Sequence, residues 1–174
     1  VAAVSDWLAA QPWVDKDRMG AMGWSWGGYA MMWLAGHTDR YKAIASMMGV
    51  YDLRSMYSST EELWFPEWDL GGAPWQNPEG YREQSPSSYV TRFKTPTLVV
   101  TGQKDFRVPY NNGLEFWTIL KRQQVESRLV IFPDENHWIL KGENSRYFYQ
   151  EVQGWLAKHL AAPSCSRPTG RLSP

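Results

Sequence analysis

The chain has 174 residues with 18 Lys+Arg against 18 Asp+Glu, so no sequence-wide field draws it to a phosphate backbone or an anionic lipid surface, and neither nucleic acid nor membrane is expected as a partner. A hydrophobic fraction of 43%, with 11 Trp, 9 Tyr and 6 Phe, excludes bulk disorder and fits one domain on the usual scale of ~100–200 residues. One cysteine, Cys165, excludes an intrachain disulfide framework and a Cys-rich zinc site.

Val1, Val4, Trp7 and Leu8 recur at helical spacing and Pro12 closes the segment. VAAVSDWLAAQPWVD lacks the basic start and cleavage site of a signal peptide. It opens inside a helical pattern without an initiator Met, so the chain is expected to be the C-terminal part of a longer protein. Compartment is open, with the cytoplasm ahead of secretion or the periplasm. After the polar turn Asp15-Lys16-Asp17, Arg18 to Met22 reads as a short strand. Gly23 to Gly28 is a glycine-punctuated bend, and Tyr29 to Ala35 is a helix ending at Gly36.

Lys42 to Val50, Thr97 to Thr101 and Arg128 to Phe132 are apolar runs of strand length, as a parallel sheet buried on both faces requires. Helical spacing returns in Tyr110 to Gln124 and in Tyr147 to Leu160. Strands alternating with helices predict an α/β layer fold. The Pro-, Gly- and Trp-rich stretch from Ser58 to Phe93 predicts a packed excursion over one face. The tail, Ala162 to Pro174, is poor in apolar residues and is expected to be mobile. The domain division is therefore 1–160 for the folded unit and 161–174 for the tail.

Gly23-Trp24-Ser25-Trp26-Gly27 fits G-x-S-x-G, in which a strand turns abruptly into a helix and holds a serine hydroxyl above the sheet edge. The same turn aims the Trp26 amide and the helix N-terminus at the place where a tetrahedral oxyanion would form. A serine needs an imidazole base, and the base needs a carboxylate to hold its tautomer. Of three histidines, His37 follows a helix end and reads as its cap, and His159 reads as part of a solvated helix face. His137 follows the strand RLVIF on a loop, where catalytic groups gather in open α/β sheets. Asp105 follows TLVVT and Gly102 in the same way; Asp52 is a weaker rival, and Asp134 lies too close along the chain to His137. The order Ser25, Asp105, His137 is that of nucleophile, acid and base in α/β-hydrolases.

At Gly23 to Tyr29, Gly102 to Pro109 and Asp134-Glu135-Asn136-His137 the sequence closely resembles the prolyl oligopeptidase family of serine peptidases, in the branch of acylaminoacyl peptidases and dipeptidyl peptidase V type enzymes. Glu61 to Trp75 and Ser85-Pro86 share the likeness, which runs from about Val1 to Leu160. The resemblance implies an α/β-hydrolase fold of which this chain holds the C-terminal half of a doubly wound, mostly parallel sheet. The N-terminal strands and a preceding β-propeller would lie outside it. It also implies that Trp26 supplies one of two oxyanion donors, that Arg107 binds a substrate backbone carbonyl, and that Val108 and Val50 line the pocket for the side chain before the cut. Leu53 and Met56 are weaker candidates for that lining.

The function so implied is hydrolysis of short or N-blocked peptides through a Ser-His-Asp triad and an acyl-enzyme, with peptide substrate as partner, no cofactor or metal, and an oligomer allowed. A carboxylesterase uses the same site chemistry. A third reading, from another class, is a catalytically incomplete fragment whose aromatic excursion only binds partners.

Overall fold

The computed structural model describes residues 1–161, so the expected tail from Ala162 onward lies outside the described residues. Strands β1 (Gly20–Trp24), β2 (Ala43–Met47), β3 (Thr97–Gly102) and β4 (Ser127–Phe132) form one sheet in the order β1-β2-β3-β4. All three pairings are parallel. Parallel neighbours need crossovers. These are α2 (Trp26–Ala35), an excursion holding α3 (Leu53–Tyr57), α4 (Trp64–Leu70) and α5 (Pro78–Glu83), and α6 (Asn111–Arg122). Helix α1 (Ala2–Ala9) precedes the sheet and α7 (Gly142–Leu160) follows it. Every strand therefore delivers its C-terminal end to one edge, where loops carry side chains from separate parts of the sequence.

The period-2 pleat sorts the two core layers. Ile44 and Val99 pack with Met31, Met32, Phe116 and Leu120 of α2 and α6. Ala45, Met47, Leu98 and Val100 pack on the other face with Phe148, Val152 and Trp155 of α7. The central strands β2 and β3 are buried along their whole length, as their unbroken apolar runs require. β4, expected to be buried on both faces, is an edge strand with Arg128 and Ile131 exposed. Arg128 there forms a two-pronged ion pair with Glu151 of α7 (2.5 and 2.7 Å).

Other boundaries shift for local reasons. α2 begins at Trp26 rather than Tyr29, because packing against β2 overrides the poor helix propensity of Gly27 and Gly28. α7 begins five residues before Tyr147 with the polar run GENSR, which carries no apolar periodicity. α1 forms as expected, but Val1, Val4 and Trp7 are exposed and only Ser5 is buried. The excursion from Ser58 to Phe93 folds into short helices. Its buried residues include Pro66, Ala73, Tyr81, Ser85, Pro86 and Phe93, while Trp64, Trp68 and Trp75 face solvent, Trp68 being 85% exposed. His159 is not on a solvated face: its ring lies 4.6 Å from Trp155, and its side chain is 11% exposed. Among the described residues no helix is long and apolar enough to cross a membrane.

Candidate active site

Ser25 stands between β1 and α2 with φ 58° and ψ −118°, a left-handed conformation that costs an L-residue on the order of 1–3 kcal/mol. The surrounding glycines make that bend possible. A β-carbon on Gly23 would overlap the Gly27 carbonyl, and one on Gly28 would lie 2.8 Å from Gly49 Cα. The Ser25 N–H donates to Met47 O (2.9 Å), which ties the bend to the end of β2. Trp26 is the first residue of α2, so its N–H has no acceptor inside the helix and lies at the positive end of the helix dipole.

His137 and Asp105 come from the loops after β4 and β3. The Ser25 hydroxyl donates to His137 Nε2 (2.9 Å), and His137 Nδ1–H donates to Asp105 Oδ2 (2.7 Å). Asp105 and His137 are both buried, at 1% and 5% exposure, and Ser25 is half-buried. The other oxygen of Asp105 accepts the N–H groups of Arg107 (3.0 Å) and Val108 (2.9 Å), so the carboxylate is fixed from both sides. The structure thus joins Ser25, Asp105 and His137 in one hydrogen-bonded relay.

The rival acids are engaged elsewhere. Asp52 caps α3, accepting from Arg54 and Ser55 N–H (both 2.9 Å), and Ser87 Oγ donates to its second oxygen (2.5 Å). Asp134 pairs with Lys141 and accepts from Asn144 Nδ2 (3.0 Å). The Lys141 ammonium holds the Asp134 carboxyl below the usual carboxylate range, with Asn144 adding to the effect. His37 stays at the end of α2, its Nδ1 2.7 Å from Trp33 O, as a helix cap would.

A cavity of about 490 Å³ opens between the start of α2 and the excursion, lined by Trp26, Tyr29, Leu53, Pro66, Asp69 and Leu70 among others; Trp26, the residue after the serine, is its nearest lining residue along the chain to the relay. Val50 and Val108, expected to line a pocket, do not reach this surface. They form a buried cluster with Leu53, Met56 and Tyr81, against which Tyr29 and Leu70 pack. Burial foremost, with Tyr89 nearby, pushes the Tyr29 phenol up to about 12, and its hydroxyl donates to Gln84 O (2.8 Å). Arg107 is 41% exposed, and its Nε donates to Glu62 Oε1 (3.0 Å) on the excursion. It also borders a second cleft with Lys104, His137 and Trp138.

Two contributors were missed in the sequence. The Trp24 indole donates to His137 O (3.0 Å) and stacks on Trp138, tying the base loop to the nucleophile strand. Glu62, inside the excursion, is the ion-pair partner of Arg107. The aromatic at the first variable position of G-x-S-x-G carried the signal for Trp24; nothing in the pattern marked Glu62.

A model of the prolyl oligopeptidase family matches residues 1–163. Dipeptidyl-peptidase 5 of Porphyromonas gingivalis is 38% identical over 160 residues, which covers 89% of this chain and 23% of that protein. Dipeptidyl-peptidase 5 of Schizosaccharomyces pombe is 36% identical over 146 residues, covering 83% of this chain and 21% of that protein. Among solved structures, the acylaminoacyl peptidase of Pyrococcus horikoshii superposes with a TM-score of 0.84 at 28% identity, covering 90% of this chain and 26% of that one. The chain spans about a quarter of the length of the relatives it matches.

Proposed function

The chain belongs to the prolyl oligopeptidase family, and from that premise we propose that its sheet edge is the acyl-transfer site of a serine peptidase acting on short or N-blocked peptides. One observation carries the reading: the relay from Ser25 Oγ through His137 to Asp105, with spacings of 2.9 and 2.7 Å. A hydroxyl of ordinary acidity attacks a carbonyl only as its proton leaves, and His137 Nε2 is within reach to take that proton. Asp105 keeps the imidazole hydrogen on Nδ1 and offsets the positive charge that forms on the ring.

As Ser25 Oγ bonds to the scissile carbon, negative charge moves to the carbonyl oxygen, and the Trp26 N–H donates to it. His137 then returns the proton to the departing amine, leaving an acyl group on Ser25. Water, activated by the same imidazole, removes that group. The side chain before the cut enters the cavity bounded by Trp26, Tyr29, Leu53 and Leu70, with Val50 and Val108 setting the packing behind Leu53. The free N–H groups of the Arg107 guanidinium supply donors for a backbone carbonyl of the substrate, and Glu62 restrains their orientation.

The open edge of β1 supports a wider reading. Met22 on that strand is 52% exposed, and Val4, Trp7 and Trp13 are exposed on the α1 side. An unpaired edge with an uncovered apolar face is a surface that other strands normally cover. With relatives about four times longer, the proposal is that the working enzyme adds strands against β1, a second oxyanion donor and an upstream propeller. Residues 1–160 would then be part of a catalytic domain and 161–174 its tail.

The test is hydrolysis of a short N-blocked peptide anilide and of the matching ester by the full-length gene product and its Ser25→Ala variant. Cleavage of the anilide by the parent, with a loss of about 10⁴–10⁶-fold in Ser25→Ala, is expected. Turnover of the ester alone would replace the peptidase reading with a carboxylesterase, and turnover of neither would leave a binding module.

A further inference from the structure

His137 sits on a loop, residues 133–141, that joins β4 to α7. Loops of this kind are ordinarily the least constrained part of a fold, yet this one must hold an imidazole within bonding distance of two groups from other parts of the chain. The buried carboxylate of Glu135 is used by no step of the proposed chemistry. It is 4% exposed.

Its Oε1 accepts the Lys141 N–H (2.9 Å) and Asn144 Nδ2–H (2.8 Å), and its Oε2 accepts the Leu140 N–H (3.2 Å). A side chain two residues before His137 therefore grips the chain three and four residues after it. Leu140 immediately precedes the N-cap residue Lys141, and Asn144 lies in the first turn of α7, so the carboxylate also sits at the positive end of a 19-residue helix. Burial alone would push the Glu135 carboxyl up, but the bonds from Asn144, Lys141 and Leu140 outweigh it and hold the group below its ordinary range.

The backbone of the same residue reaches the acid loop. Glu135 O accepts the Lys104 N–H (2.9 Å) one residue before Asp105, and Gln103 N–H donates to Phe132 O (2.9 Å). Gly102 allows the two loops to meet, because a β-carbon there would lie 2.7 Å from Glu135 O.

We infer that Glu135 is a positioning residue: its carboxylate closes the loop around His137, and its carbonyl fastens that loop to the segment carrying Asp105, so that base and acid keep one geometry. This rests on the acyl-transfer reading above. In Glu135→Ala all three side-chain bonds vanish. In Glu135→Gln the amide oxygen still accepts from Lys141 and Asn144, while the NH₂ group opposes the Leu140 N–H.

The experiment uses the full-length gene product with three variants: Glu135→Ala, Glu135→Gln and, as a control, Glu151→Gln, which breaks the surface pair with Arg128. Steady-state hydrolysis of a short peptide anilide is measured together with Tm and the downfield proton resonance of His137 Nδ1–H. Displacing a reacting group by about 1 Å lowers rates on the order of 10²-fold, so Glu135→Ala should lose that factor in kcat with KM nearly unchanged, and Glu135→Gln roughly tenfold. The downfield proton should broaden or shift in Glu135→Ala and stay in place in Glu151→Gln.

Should Glu135→Ala not fold, the Gln variant carries the same comparison, with KM and the resonance as its readouts. Wild-type kcat and an unmoved resonance in the Glu135 variants would overturn the inference. So would a kcat loss that Glu151→Gln reproduces at equal loss of Tm. A parent that is folded but does not react at Ser25 would overturn the acyl-transfer reading first, and the positioning role with it.

Discussion

Replacing Asp105 by Asn changes one atom and should nearly abolish turnover, for a reason visible in the hydrogen bonds. Oδ1 of Asp105 accepts two backbone N–H groups, from Arg107 (3.0 Å) and Val108 (2.9 Å), and Oδ2 accepts His137 Nδ1–H at 2.7 Å. In Asp105→Asn the amide oxygen keeps the two backbone donors, so the NH₂ group must occupy the place of Oδ2. Two donors cannot share the line to Nδ1, and the imidazole hydrogen moves to Nε2. Nε2 faces Ser25 Oγ at 2.9 Å and can then no longer accept the serine proton. A tautomer error of this kind lowers kcat by about 10⁴-fold, roughly 5.5 kcal/mol of barrier. The assay is single-turnover acylation of the full-length gene product by a peptide anilide, with Tm measured alongside to show that the isosteric variant is folded. Asp134→Asn is the paired control: its carboxylate is exposed and bound to Lys141 and Asn144, so its effect should stay within about threefold. Asp105→Asn retaining a tenth of the parent rate, or Asp134→Asn losing as much as Asp105→Asn, would refute the assignment of the acid.

Gly28→Ala places a methyl 2.8 Å from Gly49 Cα and 3.0 Å from Gly49 N, so α2 must lift from the end of β2; a loss of about 1–3 kcal/mol is expected in urea unfolding, and parental stability would contradict the close approach. The Tyr29 phenol, raised to about 12 chiefly by burial, favours the folded state fully below its ordinary value near ~10 and loses that contribution as pH rises toward 12. Tyr29→Phe should therefore weaken the decline in stability between pH 9 and 11, and an unchanged decline would count against it. Residues 1–174 expressed alone should associate through the open β1 edge and turn over poorly, since the second oxyanion donor proposed to lie outside them would alone be worth about 10²–10³-fold in kcat; a monodisperse monomer with the activity of the full-length product would overturn the proposed added strands.

The layered α/β arrangement was legible because β2 and β3 are buried on both faces, and such strands must be unbroken apolar runs. The relay was legible for a related reason. Ser25, Asp105 and His137 each follow a strand of a parallel sheet, so three distant segments share one edge by topology alone. What failed depends on which face is covered. RLVIF reads like a central strand, but β4 is an edge strand, and nothing in five residues marks whether another strand lies beyond. The stretch from Ser58 to Phe93 reads as a packed excursion because of its aromatic load, yet Trp64, Trp68 and Trp75 face solvent, and smaller residues such as Pro66 and Ala73, with Tyr81, hold it down. Val50 and Val108 were placed on a pocket surface by resemblance, and they lie one layer deeper. In the sequence Glu135 is only one member of the polar run before His137. Its reach across the loop is a three-dimensional closure that no periodicity encodes.

The proposed chemistry requires Ser25 to be a nucleophile activated by His137. Treating the full-length gene product with a fluorophosphonate and mapping the adduct by mass spectrometry reads that reactivity without any choice of substrate. A single stoichiometric adduct is expected on the peptide carrying Ser25, reduced by orders of magnitude in His137→Ala. An adduct on another serine, or labelling of Ser25 at the parent rate without His137, would contradict it.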